Sequence, residues 1–245
     1  MFFKTDMQEI KFLPCGDSAV TVEFSRNISE QTNKKIRFLA NEIEKRDIAG
    51  VKETIPTFCS ITIIFDPFKT TQKKLSRSLR KILSDYKEGE KDKKRVFLIP
   101  VCYDGEYAPD MDDVCKITGL TKEEVIEIHS SRDYLIYMLG FLPGFPYLGG
   151  MDERIEAPRL DSPRTSITEG SVGIGGKQTG IYPLASPGGW RLIGRTPVKL
   201  YDAKRNDPIL YRAGDYIRFC PIDKERFEEI AKNSADIIET EECEE

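Results

Sequence analysis

Over the first ninety residues the apolar positions read as strand, strand, helix, and then the same again. Between Glu9 and Phe24 two apolar runs flank Pro14, Cys15, Gly16 and Asp17, which predicts two strands joined by a turn. Ile36, Leu39, Ala40 and Ile43 then fall at i, i+3, i+4 and i+7 among polar residues, the spacing of a helix with one apolar face. After Gly50 the run VKETIPTFCSITIIFDP predicts two further strands, with Pro56 marking an edge or a bend. Leu75, Leu79, Ile82, Leu83 and Tyr86 give a second helix. This order makes a small two-layer α+β unit.

The pattern changes after the charged, apolar-poor stretch Lys87 to Arg95, which is read as a linker. Val96 to Val101 is expected as a strand. Two short helices should follow, the first capped by Asp110 and the second opened by a Thr121/Glu124 capping box. From Asp133 onward short β-like runs alternate with Gly and Pro: 134–142, 171–175, 180–183, 190–194, 197–201, 209–212 and 216–219. Many short strands at such intervals predict a closed barrel or a sandwich. A short helix after Asp223 and a frayed acidic tail, SADIIETEECEE, complete the reading, which divides the chain into 1–90 and 91–245.

Composition narrows the function classes. With 39% hydrophobic and 32% charged residues and a net charge of −4, the 245-residue chain reads as globular, with no general affinity for nucleic acid. The N-terminus lacks a signal-peptide core and no apolar run approaches the roughly 20 residues that cross a bilayer, so no membrane association and a cytoplasmic protein are expected. Six scattered cysteines without a C-x-x-C pair, and His129 as the single histidine, argue against a zinc site and a disulfide framework.

Glycine and cationic charge coincide in one region. Of 18 glycines, 12 lie between Gly140 and Pro197. From Gly170 to Tyr201 there is no acid, whereas Lys177, Arg191, Arg195 and Lys199 are present. GIGGKQT does not make a phosphate loop, because Ser171 stands where its first glycine is needed and Gln178 follows the lysine. No dinucleotide fingerprint is present either. What remains is generic: the amides of a glycine-rich turn with Lys177 and Arg191 or Arg195 hold a carboxylate or phosphate, or else these cations pair with acids such as Asp202 and Glu169. His129, near a helix C-terminus, suits an interaction with the helix end better than a catalytic base. Ser171, Tyr182 and Ser186 supply hydroxyls without a Ser-His-Asp order. Trp190 reads as core. Phe141, Pro143, Phe145, Pro146 and Tyr147 are too rigid and apolar for a solvated loop, and are expected to line a groove or pack beneath one.

Several of these motifs together resemble one family. GFLPGFPYLGG, Pro158-Arg159 to Pro163-Arg164-Thr165, GSVGIGGKQTGIYP and SPGGWRLIGRTP are similar, in order and spacing, to the signature of the 5-oxoprolinase B-subunit family. That family is also called allophanate hydrolase subunit 1 and includes the histidine-kinase inhibitor KipI. The resemblance implies an α+β chain, with a small N-terminal α/β domain before a C-terminal cyclophilin-like β-barrel. It implies work with 5-oxoprolinase subunits C and A, and ATP with Mg²⁺ at the level of that complex. Its alternatives are a regulator docking on a sensor histidine kinase and a subunit of a urea carboxylase or allophanate hydrolase system. The residues expected to contact a small-molecule substrate or anion are Lys177, Gln178, Tyr182, Ser186, Arg191, Arg195, Arg164 and His129.

Overall fold

Alternation along the strands and the helical repeat meet in one core in the N-terminal unit, which spans Met1–Glu90. The computed structural model describes residues 10–87, 93–233 and 239–244. Strands β1 (Lys11–Cys15) and β2 (Ala19–Glu23) form an antiparallel hairpin, and β3 (Val51–Pro56) and β4 (Ser60–Phe65) form a second. The hairpins join through β2 and β4 into a sheet of order β1-β2-β4-β3, so Pro14 and Pro56 both lie on edge strands, where a missing N–H is tolerated. Each hairpin is followed by a helix, α1 (Glu30–Arg46) capped by Ser29 and α2 (Gln72–Ser84) capped by Thr71. Ile61, Ile63 and Phe65 alternate onto the buried face and pack against Ile36, Leu39 and Ile43 of α1 and Leu75, Leu79 and Ile82 of α2. Tyr86 lies beyond α2 and meets Phe38 edge-on at 5.2 Å.

The second unit, Lys91–Glu245, is organised around β5 (Lys93–Cys102). On one side β5 pairs in parallel with β13 (Tyr216–Ile222). Its other partners are β14 (Thr240–Glu244) and, through Cys102, β12 (Arg191–Arg195), both antiparallel. The sheet continues from β12 through β9 (Ser171–Gly175) to β10 (Gln178–Ile181), and from β13 through β6 (Tyr134–Leu139) to β7 (Pro146–Gly149). The two ends approach each other, since a Cβ on Gly180 of β10 would stand 3.2 Å from the Pro146 carbonyl of β7. The result is a nearly closed barrel filled by Ile99, Val101, Ile136, Val172, Ile174 and Ile217. A separate ribbon pairs β8 (Arg164–Ile167) with β11 (Ser186–Gly188), and the helices are α3 (Met111–Thr118), α4 (Lys122–Ser130) and α5 (Lys224–Asn233). Among the described residues no helix is long and apolar enough to cross a membrane.

Four local expectations are corrected. The runs 197–201 and 209–212 are not strands; only the isolated bridge Tyr201–Ile209 forms, although Val198, Leu200 and Tyr211 are buried as a strand pattern would require. Pro197 and Pro208 lack the N–H groups a ladder needs. The acidic tail is not frayed at 240–244, because these residues extend the sheet as β14, placing Glu242 opposite Arg95 and Glu241 within 3.0 Å of Arg218. Of the linker, Lys93 to Arg95 already belong to β5, and 88–92 lie outside the described residues. Asp110 occupies the N-cap position of α3 but makes no capping bond there, its carboxylate being used elsewhere; the Thr121/Glu124 box forms as expected.

Candidate functional site

Three glycines of the glycine-rich run make room for one side chain, Trp190. Trp190 precedes β12 and packs against β9 and β10, where Cβ atoms at Gly175 and Gly180 would come within 2.4 and 3.1 Å of its indole and one at Gly173 within 3.2 Å of its Cβ. Contacts below 3 Å are not tolerated, so glycine at 175 is a steric requirement of the tryptophan. Gly188 has the same role one layer out, since a Cβ there would stand 2.6 Å from both Ile167 Cδ1 and the Tyr182 hydroxyl.

Around Trp190 an aromatic cluster closes. Phe145 meets Phe141, Tyr147, Tyr182 and Trp190 edge-on, with ring centroids 5.4–5.6 Å apart. The approach to Phe145 is a tight turn, Gly140–Phe145, in which the Phe145 N–H donates to the Leu142 carbonyl and Gly144 has φ +81°. The buried Tyr211 hydroxyl donates to the Gly144 carbonyl at 2.8 Å and pins the turn. Phe141 is held there at φ +66°, a left-handed conformation that L residues disfavour, and the residue is 63% exposed. These rings, with Arg159, Pro163, Pro187, Gly188 and Gly189, line a pocket of about 330 Å³. The expectation that Phe141 to Tyr147 line a groove is met, and Trp190 is both core, at 5% exposed, and wall.

The structure disperses most of the expected site residues. Tyr182 lines the pocket, and burial raises its phenol above the usual value. Ser186 is buried just before the lining residues Pro187 to Gly189. Gln178 opens β10, paired with Gly175. Lys177 is 83% exposed at the β9–β10 turn, 3.6 Å from Glu156. Arg191 donates to the Pro158 carbonyl at 3.0 Å and pairs with Asp113 at 3.2 Å. Arg195 donates to the Glu169 carbonyl at 3.0 Å. Arg164 pairs with Asp110 at 2.6 Å, and the other Asp110 oxygen accepts the Leu192 N–H at 2.7 Å. A shared anion cradle of Lys177, Arg191 and Arg195 is therefore not formed, because upstream acids and carbonyls already occupy these cations.

His129 is corrected most sharply. It is fully buried in the barrel, with Nδ1 2.8 Å from the Tyr103 hydroxyl, Nε2 2.8 Å from Thr179 Oγ1, and its ring stacked on Phe219 at 4.3 Å. Burial pushes its pKa down to about 3, so it is neutral at ordinary pH. A depressed histidine contributes stability that is present above its unfolded pKa and lost as pH falls. Because His129 is the sole histidine, no other side chain has its ordinary pKa inside the window between pH 6.5 and 5. The wild-type chain should lose about 2 kcal/mol between pH 6.5 and pH 5. Thermal melts at both pH values check this, and equal midpoints would contradict the buried, neutral ring.

Residues 10–211 match the family model "Carboxyltransferase domain, subdomain C and D". The B subunit of 5-oxoprolinase from Bacillus subtilis is 44% identical over 86% of this chain and 92% of its own length, and that of Escherichia coli O157:H7 is 40% identical over 88% and 97%. This chain belongs to the 5-oxoprolinase B-subunit family. The crystal structure of the Kluyveromyces lactis urea amidolyase superposes with a TM-score of 0.79 over 99% of this chain, at 23% identity, which shows a shared fold; the chain spans 17% of that protein.

Two residues of this family member were not singled out as site residues from sequence. Arg159, exposed and 5.9 Å above the Trp190 ring, brings the one cationic side chain to the pocket lining. Its signal was the Pro158-Arg159 motif alone. Asp110 ties Arg164 of β8 to the backbone of β12 beside that pocket, and read from sequence as no more than a helix cap.

Proposed function

We propose that this chain is the B subunit of an ATP-dependent 5-oxoprolinase, which opens 5-oxo-L-proline to L-glutamate together with subunits A and C. The observation that carries this reading is identity of 40–44% with two such B subunits over 92–97% of their length, so the likeness is to whole subunits rather than to one shared module. Among the described residues no group of three His, Cys, Asp or Glu side chains is placed to hold a metal ion, and the pocket lining contains no carboxylate. These residues do not fit Mg²⁺ with ATP, and on this proposal nucleotide chemistry is supplied by the assembly.

A lactam carbonyl is a poor electrophile, so ring opening needs activation and a held substrate. An aromatic pocket with a guanidinium at its edge contributes holding and water exclusion. The test is ATP-dependent glutamate release by subunits A and C with and without this chain. Release is expected only when the chain is present, and undiminished release in its absence would overturn the reading.

A further inference from the structure

We propose that the aromatic pocket binds a small cyclic carboxylate, with its ring among Phe141, Tyr147 and Trp190 and its carboxylate on Arg159. Naming that acid as 5-oxo-L-proline rests on the function proposed above; the pocket's chemical preference does not. Three independent features point to a ligand rather than to packing alone. First, Phe141 is held in a disfavoured backbone conformation and is largely exposed, its ring touching the cluster through Phe145, and such outliers cluster at ligand clamps. Second, Arg159 is exposed and, among the described residues, has no ion-pair partner, whereas Arg164, Arg191 and Lys177 each pair with an acid. A guanidinium left unpaired at the edge of an aromatic wall is suited to a carboxylate, which accepts two parallel N–H bonds.

Third, size and charge limit the ligand. A cavity of about 330 Å³ stands at the small end of ligand sites, which run from roughly 300 to 1,000 Å³. One cation in the lining matches one negative charge, and a triphosphate would need more. The walls are rings, prolines and glycine backbone, which favour a compact, flat, largely apolar body. Pro163, Pro187 and the two glycines have little side-chain freedom to lose on binding, so the pocket is shaped in advance.

The sequence provides its own reporter, because Trp190 is the single tryptophan and forms the pocket wall. The full chain is titrated with 5-oxo-L-proline, with cyclopentanecarboxylate and with uncharged 2-pyrrolidinone, following Trp190 emission. A saturable change is expected with both acids, and at least tenfold weaker binding with 2-pyrrolidinone. Arg159→Ala should weaken the acids at least tenfold and leave 2-pyrrolidinone unchanged, with Arg159→Lys in between. The exposed, unpaired Arg159 makes folding of both variants testable by unchanged melting midpoints. Absence of a saturable signal with both acids, or equal binding by Arg159→Ala, would overturn the proposal. Binding of cyclopentanecarboxylate but not of 5-oxo-L-proline would sustain the pocket assignment and count against the 5-oxoprolinase reading. Failure of glutamate release to depend on the chain would count against that reading alone.

Discussion

A methyl group added at Gly175 is expected to lower the stability of the second unit by about 3 kcal/mol and to shift Trp190 emission to longer wavelength. The new Cβ would lie 2.4 Å from the indole, a distance at which the ring must move. The ring has no easy retreat, because Gly180 of β10 closes it in and Phe145 and Tyr182 face it at 5.6 and 6.2 Å. Overpacking a tight core costs roughly 1–3 kcal/mol, and the high end applies where rigid neighbours prevent relaxation. Thermal melting and emission of Gly175→Ala, measured together, check the claim. A variant that melts like wild type with unshifted emission would show that the glycine is needed for something other than the tryptophan.

Asp110→Ala is expected to cost about as much, near 3 kcal/mol, because removal of the carboxylate strands two partners at once. Asp110 is 5% exposed and bonds both the Arg164 guanidinium, at 2.6 Å, and the Leu192 N–H, at 2.7 Å. Without it the amide is buried without an acceptor and the guanidinium loses its charge partner. A fall in melting temperature of roughly 6–12 °C is anticipated for a unit of this size. Asp110→Asn should fall in between, since its amide oxygen can serve one partner and not the charge. Calorimetry on both variants decides the matter: an Asn variant as stable as wild type would show that the charge itself contributes nothing, and equal losses for Ala and Asn that the charge carries the whole effect.

The N-terminal unit was legible almost residue by residue, because each of its signals is local: alternation in β4, the helical repeat in α1 and α2, and prolines confined to edge strands. The aromatic-proline run at Phe141 to Tyr147 was legible for the same reason, since its rigidity and apolarity are properties of neighbours in sequence. The glycine-rich run was not. What a glycine makes room for depends on what approaches its missing Cβ, and Trp190 reaches Gly175 from 15 positions along the chain, across a sheet. The same holds for the cations. A window free of acids from Gly170 to Tyr201 looks like an anion site only until Asp113 and Glu156 arrive from earlier segments, at Arg191 and Lys177. β14 was misread because its partners lie over 140 residues upstream, where the basic strand start Lys93 to Arg95 gives an acidic segment a complementary edge.

On the proposed function, this chain supplies its complex with a pocket whose shape depends on a strained, exposed aromatic. Phe141→Gly isolates that claim, because glycine accepts φ +66° without strain and deletes only the ring. The relief of strain, about 1 kcal/mol, offsets the lost contact with Phe145, so the folded chain should melt within a few degrees of wild type. The deciding measurement is ATP-dependent glutamate release from 5-oxo-L-proline by subunits A and C combined with wild-type chain, with Phe141→Gly chain, or with none. Full release, at least a tenfold loss, and background release are the results expected in that order. Release with Phe141→Gly equal to that with wild type would contradict the account.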